Sequence, residues 1–148
     1  MTETIAIASD HAAIELKAAL AAWLRAAGHE VIDIGPETAD SVDYPDYGYK
    51  LAEHIAAGWA DKGVALCGSG IGISIAVNRN PACRCALVSD SLSARLSREH
   101  NDANVIAMGA RLIGIDTAKD CLSAFLATAF GGGRHARRVD KLSHPPQA

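Results

Sequence analysis

Five short runs of apolar and β-branched residues, Ile5 to Ser9, Glu30 to Ile34, Gly63 to Cys67, Arg84 to Ser89 and Val105 to Met108, are each closed by glycine or polar positions and read as strands. Between them the apolar period lengthens. Leu16, Leu20, Trp23, Leu24 and Ala27 form one helical stripe that stops at Gly28. Leu51, Ile55 and Trp59 repeat it after the Tyr44-Pro45 break, and Leu122, Phe125, Leu126 and Ala129 repeat it after Asp116, which reads as a helix cap. Ile71 to Val77 predicts a further helix directly after a glycine run. Strands alternating with helices predict an α/β fold with a five-stranded parallel sheet and right-handed crossovers. Such a sheet binds its ligand beyond the carboxyl ends of the strands. Those ends carry Asp10-His11, Gly35, Cys67-Gly68-Ser69, Asp90 and Gly109-Ala110-Arg111, so an acid, an imidazole, a thiol and a guanidinium are expected to converge there.

Composition narrows the partner more than the fold. With 148 residues, 49% of them hydrophobic and 21% charged, the chain reads as one domain, residues 1–148, with a substantial core. A net charge of −3 argues against nucleic-acid or anionic-membrane binding and leaves a small molecule as the expected ligand. No apolar run approaches the ~20 residues of a membrane span. Met1-Thr2-Glu3-Thr4 enters the first strand at once, so no secretory leader is expected. Four cysteines without C-x-x-C spacing fit a reducing cytoplasm. Zinc is disfavoured, because Cys83-Arg84-Cys85, taken as strand, points both thiols to one face with no second ligand pair. The tail from Leu142 to Ala148, with Pro145-Pro146, is expected to lack order.

The densest chemistry lies where the third strand breaks into Cys67-Gly68-Ser69-Gly70-Ile71-Gly72. Glycines let backbone amides approach a ligand, and the following helix presents its positive end, which would hold a thiol partly as thiolate. A nicotinamide cofactor is not expected, because after Gly68-x-Gly70 the third glycine position is Ile73. Taken singly, each group also has a plainer reading. Cys67 can be a small buried hydrophobe, Ser69 and Asp10 helix caps, and His100 surface decoration. The run Arg134-His135-Ala136-Arg137-Arg138 can be a solvated face.

Five motifs in order carry a resemblance. They are Ser9-Asp10-His11, Asp43-Tyr44-Pro45, the glycine run from Cys67 to Ala76, Ser97-Arg98-Glu99-His100-Asn101-Asp102-Ala103-Asn104-Val105, and Gly132-Gly133-Arg134-His135-Ala136-Arg137-Arg138-Val139. Together they resemble the B-type ribose-5-phosphate isomerases, in the family shared with the galactose-6-phosphate isomerase subunits. The resemblance implies a three-layer, Rossmann-like sandwich, no metal and no organic cofactor. It also implies a homodimer, in some members paired into a tetramer, with active sites built from both subunits.

The resemblance further implies that Cys67 is the base shuttling a proton between two sugar carbons, with the amides of Gly70, Ile71 and Gly72, beside Gly68, facing the oxyanion. Ser69 would move a proton on the enediolate or orient the thiolate, and His100 would protonate the ring oxygen as the sugar opens. Asp10, Tyr44 and Asn101 would contact sugar hydroxyls or the sugar face. His11, Arg111, Arg134 and Arg138 would hold phosphate, for which guanidinium has the matching geometry, while Arg137 is expected to be solvent-exposed or structural. Tyr47 and Tyr49 are read as packing or surface residues. Some members use an acidic base just after the glycine loop, but Ile71-Gly72-Ile73 carries no carboxylate. The glycines from 131 to 133 would let residues 131–148 reach a neighbouring subunit as an arm. The expected reaction interconverts D-ribose 5-phosphate and D-ribulose 5-phosphate in the non-oxidative pentose phosphate branch. A six-carbon sugar phosphate such as allose or galactose 6-phosphate, or a non-catalytic phosphosugar-binding role, are the alternatives.

Overall fold

A computed structural model describes residues 2–147. The chain runs β1 (Thr4–Ser9), a 3-10 turn (His11–Ala13), α1 (Ile14–Ala26), β2 (Glu30–Gly35), α2 (Tyr44–Ala56), β3 (Lys62–Cys67) and α3 (Ile71–Val77). It continues through β4 (Cys85–Leu87), α4 (Ser91–Glu99), β5 (Val105–Gly109), α5 (Ile115–Ala127) and α6 (Arg134–Ser143). All neighbouring strands are parallel, in the order β2-β1-β3-β5-β4. Helix-rich crossovers explain this, since a parallel pair cannot be joined by a tight hairpin.

The period-two alternation in the strands sorts the core into two layers. Ile5, Ile7, Val64, Leu66, Ile106 and Met108 face α1 and α5, where Leu20, Leu24, Leu122 and Phe125 meet them. Ala6, Ala8, Ala65, Cys67, Val105 and Ala107 face α2 and α3, against Leu51, Ala52, Ile73 and Val77. Small residues dominate this second face, so α2 and α3 sit close to the sheet and Cys67 lies between strand and helix.

Several expectations are corrected. The fourth strand is three residues long, Cys85–Leu87, and not Arg84 to Ser89. It lies on the sheet edge, where one ladder alone holds it, and Val88 still donates to the Ala107 carbonyl (3.0 Å). Cys83 therefore precedes the strand in a turn, its amide on the Asn80 carbonyl (2.9 Å). Asp116 lies inside the first turn of α5, and Gly114 is the capping position. Trp59 does not continue the α2 stripe, because that helix ends at Ala56 and leaves the indole 61% exposed, edge-on to His54. Ala129 likewise falls beyond α5. Leu142 and Ser143 belong to α6, and Arg84 reaches the Ser143 hydroxyl (3.5 Å). Of the expected tail, Ala148 lies outside the described residues. Among the described residues no helix is long and apolar enough to cross a membrane.

Candidate active site

The strand order reverses direction between β1 and β3, because the chain leaves β1 toward β2 and returns past it to β3. Such a switch point opens a crevice at the carboxyl ends, since the two outgoing loops turn to opposite faces. Asp10 directly follows β1, and Cys67 ends β3. The Asp10 amide donates to the Leu66 carbonyl (3.1 Å), and the Ala110 and Arg111 amides donate to the carbonyls of Cys67 and Gly68 (both 2.9 Å), so three loops are stitched at one level.

A cavity of about 560 Å³ lies there, lined by Asp10, Tyr44, Cys67, Gly68, Ser69 and Arg111, with Ile71 and Gly72 on the helix side. Asp10 is 8% exposed, and one carboxylate oxygen caps the 3-10 turn by accepting from the Ala12 amide (2.9 Å). The cap reading of Asp10 therefore holds, and the same residue also lines the cavity. The Arg111 guanidinium lies against Gly68, where a β-carbon would come within 3.3 Å of one guanidinium nitrogen. Tyr44 stands over Gly72 so closely that a β-carbon there would meet its ring at 2.5 Å.

The glycine loop is shaped around sulfur. The Gly70 amide donates to Cys67 Sγ (3.1 Å), the Ile71 amide to Ser69 Oγ (3.2 Å), and the Ser74 hydroxyl to the Ile71 carbonyl (2.7 Å). Gly70 adopts φ +77° and would press a β-carbon onto the Met108 backbone (2.7 Å), so the thiol's donor requires glycine. Of the three amides expected at the oxyanion, two thus have partners within the loop; that of Gly72, in the first helical turn, has no intrahelical acceptor. Burial pushes the other thiols up: Cys83 to about 11, Cys85 further still, and Cys121 as well. All three are neutral hydrophobes at physiological pH.

His11 borders a neighbouring cavity of about 580 Å³ between the 3-10 turn and the start of α5, with Ala110, Ile113 and Gly114. Its Nδ1 accepts from the Val42 amide (3.1 Å), which leaves Nε2 carrying the proton as a donor. The remaining expected residues are elsewhere. His100 caps the carboxyl end of α4, and the turn that follows enters β5 at Val105, whereas Cys67 pairs with Gly109 at the other end of that strand. Four residue steps, about 13 Å, separate the two ends. None of His100, Asn101, Arg134 and Arg138 lines the Cys67 cavity. Asn101 instead borders a cavity of about 450 Å³ beside β4, with Cys83, Cys85 and Leu142. Arg134 and Arg138 are exposed on α6, and Arg137 is exposed as expected.

Two groups escaped the sequence reading. Arg98 is 8% exposed and donates to the carbonyls of Thr128 (3.1 Å) and Ala103 (2.7 Å) and to Asp102 (2.8 Å), locking the turn that presents His100 and Asn101. His135 stacks on His100, ring centroids 4.4 Å apart. A basic run gives no signal for the first turn of a helix packed on another imidazole.

The family described as ribose/galactose isomerase matches residues 5–142. The ribose-5-phosphate isomerase B of Escherichia coli (strain K12) is 42% identical over 139 residues, covering 94% of this chain and 93% of its own. Among solved structures, a ribose 5-phosphate isomerase of Thermotoga maritima superposes with a TM-score of 0.95 at 47% identity, over 97% of this chain and 99% of that one. The ribose-5-phosphate isomerase B of Clostridium thermocellum gives 0.93 at 48% identity, over 95% of both.

Proposed function

The chain belongs to the ribose/galactose isomerase family, and on that premise we propose that it interconverts D-ribose 5-phosphate and D-ribulose 5-phosphate. The observation that carries this is the switch-point crevice, where the Cys67 thiol, an acid and a guanidinium meet around a loop of amides. An aldose–ketose exchange needs one base that reaches two adjacent carbons and donors for the oxygen that gains charge. Cys67, as thiolate, takes the proton from C2 of the opened aldose. The electron pair forms the C1–C2 double bond, and the former aldehyde oxygen becomes an oxyanion facing the Gly72 amide and Ser69. Ser69 passes the O2 proton to O1, and the thiol returns its proton to C1, regenerating thiolate and giving the ketose.

Ring opening needs a proton on the ring oxygen, for which His100 is the donor, while Asp10 holds the sugar hydroxyls. What supports a second copy at this step is distance: His100 and Asn101 sit a strand's length from Cys67 in their own chain, and Arg134 and Arg138 do not line its cavity. Ile71, Ile75 and Leu112, at 49, 56 and 63% exposure, give the crevice an apolar rim suited to cover by a neighbour. We therefore read the enzyme as one catalytic domain per chain acting as a homodimer. Residues 131–148 serve the neighbour's site, with Arg134 and Arg138 joining His11 and Arg111 on phosphate. Four free thiols, one of them the base, suit a cytoplasmic setting.

The test is ketose formation from ribose 5-phosphate with chelator present, beside allose 6-phosphate and the Cys67→Ala variant. Rapid pentose turnover that falls by about 10²–10⁴-fold in the variant is expected. Preference for the hexose replaces the substrate; folded protein inert toward both points to a binding role or to another sugar phosphate.

A further inference from the structure

The carboxyl end of α4 and the start of α6 are clamped together. The Gly131 amide donates to the Glu99 carbonyl (2.9 Å), and a β-carbon at position 131 would lie 2.9 Å from that same oxygen, so only glycine allows the approach. The next turn is closed by the His135 amide on the Gly132 carbonyl (3.1 Å). These contacts set the His135 ring on the His100 ring, 4.4 Å apart and 15° from parallel. The glycine run thus acts as a fitted joint that delivers one imidazole onto another.

The charges around the pair are unequal. Glu99, on α4, has a carboxylate oxygen 4.0 Å from His100 Nε2 and is itself shared with Arg95 (3.0 Å). Arg134 and Arg138, on α6, flank His135, and in the following turn Asp102 is occupied by Arg98 and Arg84. Desolvation, helped by the positive charges of His100, Arg134 and Arg138, pushes the His135 imidazole down from its ordinary value against the pull of Glu99. Two stacked rings cannot both be cations at little cost.

We propose that His135 is a positioning residue for the ring-opening acid: its ring stacks on His100, fixes that imidazole's orientation, and places no permanent charge beside it. This rests on the isomerase reading, in which His100 protonates the ring oxygen. Such a partner lets His100 give up and regain its proton in each cycle without moving.

Three variants and two readouts test it. His135→Phe keeps an uncharged ring, His135→Lys places a permanent cation beside His100, and His135→Ala removes the stack. The first readout is the pH profile of kcat with ribose 5-phosphate. The second is exchange of solvent deuterium into C1 of ribulose 5-phosphate, whose phosphorylated C5 hydroxyl prevents a furanose, so exchange needs Cys67 but no ring opening. A neighbouring cation disfavours imidazolium, so His135→Lys moves the alkaline limb down by about one pH unit and lowers kcat on that limb about tenfold. His135→Phe keeps the wild-type limb and kcat within about threefold, since only the orienting stack matters near neutrality. His135→Ala lowers kcat about tenfold or more, through the loss of an oriented acid. Exchange is unchanged in all three. Identical profiles for the Phe and Lys variants overturn the proposal, as does exchange that falls in step with kcat, which marks a general structural role. A wild type that turns over no ribose 5-phosphate overturns the isomerase reading, and the proposal with it.

Discussion

Replacing Gly109 by alanine tests whether the glycine loop is held in position by close backbone packing. A β-carbon at 109 would lie 2.5 Å from the Ser69 carbonyl oxygen, 2.6 Å from its carbonyl carbon and 2.8 Å from its α-carbon. All three are backbone atoms, so no side chain can swing aside. Ordinary contact begins at 3.4 Å, so β5 and the loop must part by about 0.9 Å. Gly109 pairs with Cys67 in the ladder, and its neighbour Ala110 donates to the Cys67 carbonyl, so the displacement reaches Cys67 and Ser69 together. Misplacement of reacting groups by ~1 Å costs about 10²-fold in rate, and overpacking of this kind costs about 1–3 kcal/mol of stability. The expected result is kcat down about 100-fold and a melting temperature down by about 2–12 °C. Gly114→Ala, at a position with open space, is the control and should keep kcat. Steady-state kinetics and thermal unfolding on the same preparations check this. A Gly109→Ala enzyme with unchanged kcat, whatever its melting temperature, would refute the claim that this packing sets the catalytic geometry.

Arg98→Met strands the Thr128 and Ala103 carbonyls and loosens Asp102; it should cost about 2–4 kcal/mol in denaturant unfolding. The same change should lower kcat, because the turn carrying His100 loses its anchor, and unchanged unfolding would contradict the anchoring role. At pH 7.5 iodoacetamide should label Cys67 first, since it lines the cavity while burial holds Cys83, Cys85 and Cys121 as neutral thiols. Mass spectrometry with and without sugar phosphate reads this, and early labelling of the other three contradicts it. Folding raises the Cys83 thiol from 9.0 to about 11, so its contribution to stability is complete below pH 9 and lost as pH rises toward 11. Cys83→Ala should flatten that alkaline decline, and a parallel decline in the variant would place its cause elsewhere.

The central strands and their crossovers were legible because β1, β3 and β5 are buried on both faces, leaving nearly uninterrupted apolar runs, and each long helix keeps a stripe at its own period. Legibility failed where one contact decides. The edge strand β4 looks longer in sequence because Arg84, Val88 and Ser89 suit a strand, yet only β5 is there to pair with it. Trp59 fits the helical stripe by spacing, but the turn after Ala56 carries it away from the core. The Asp10, Cys67 and Arg111 cluster followed from strand ends alone, since a parallel sheet brings all its carboxyl ends to one edge. His100 and Asn101 end a helix and lead into a strand's amino end, so topology sends them to the opposite edge, and only the motif likeness linked them to Cys67. The stack of His100 on His135 depends on the Gly131 to Glu99 contact, which no local pattern encodes.

If the isomerase site is assembled from two copies of the chain, subunits that are inactive alone should complement each other. Cys67→Ala and His100→Ala proteins, each nearly inactive alone, are unfolded together, refolded as an equal mixture and assayed with ribose 5-phosphate. If Cys67 of one subunit works with His100 of the other, each mixed dimer holds one intact site, and about a quarter of wild-type turnover should return. If both residues act from one chain, every site in the mixture carries a defect, and activity that stays at the level of the separate variants, with mixed dimers demonstrated by mass, would contradict the claim.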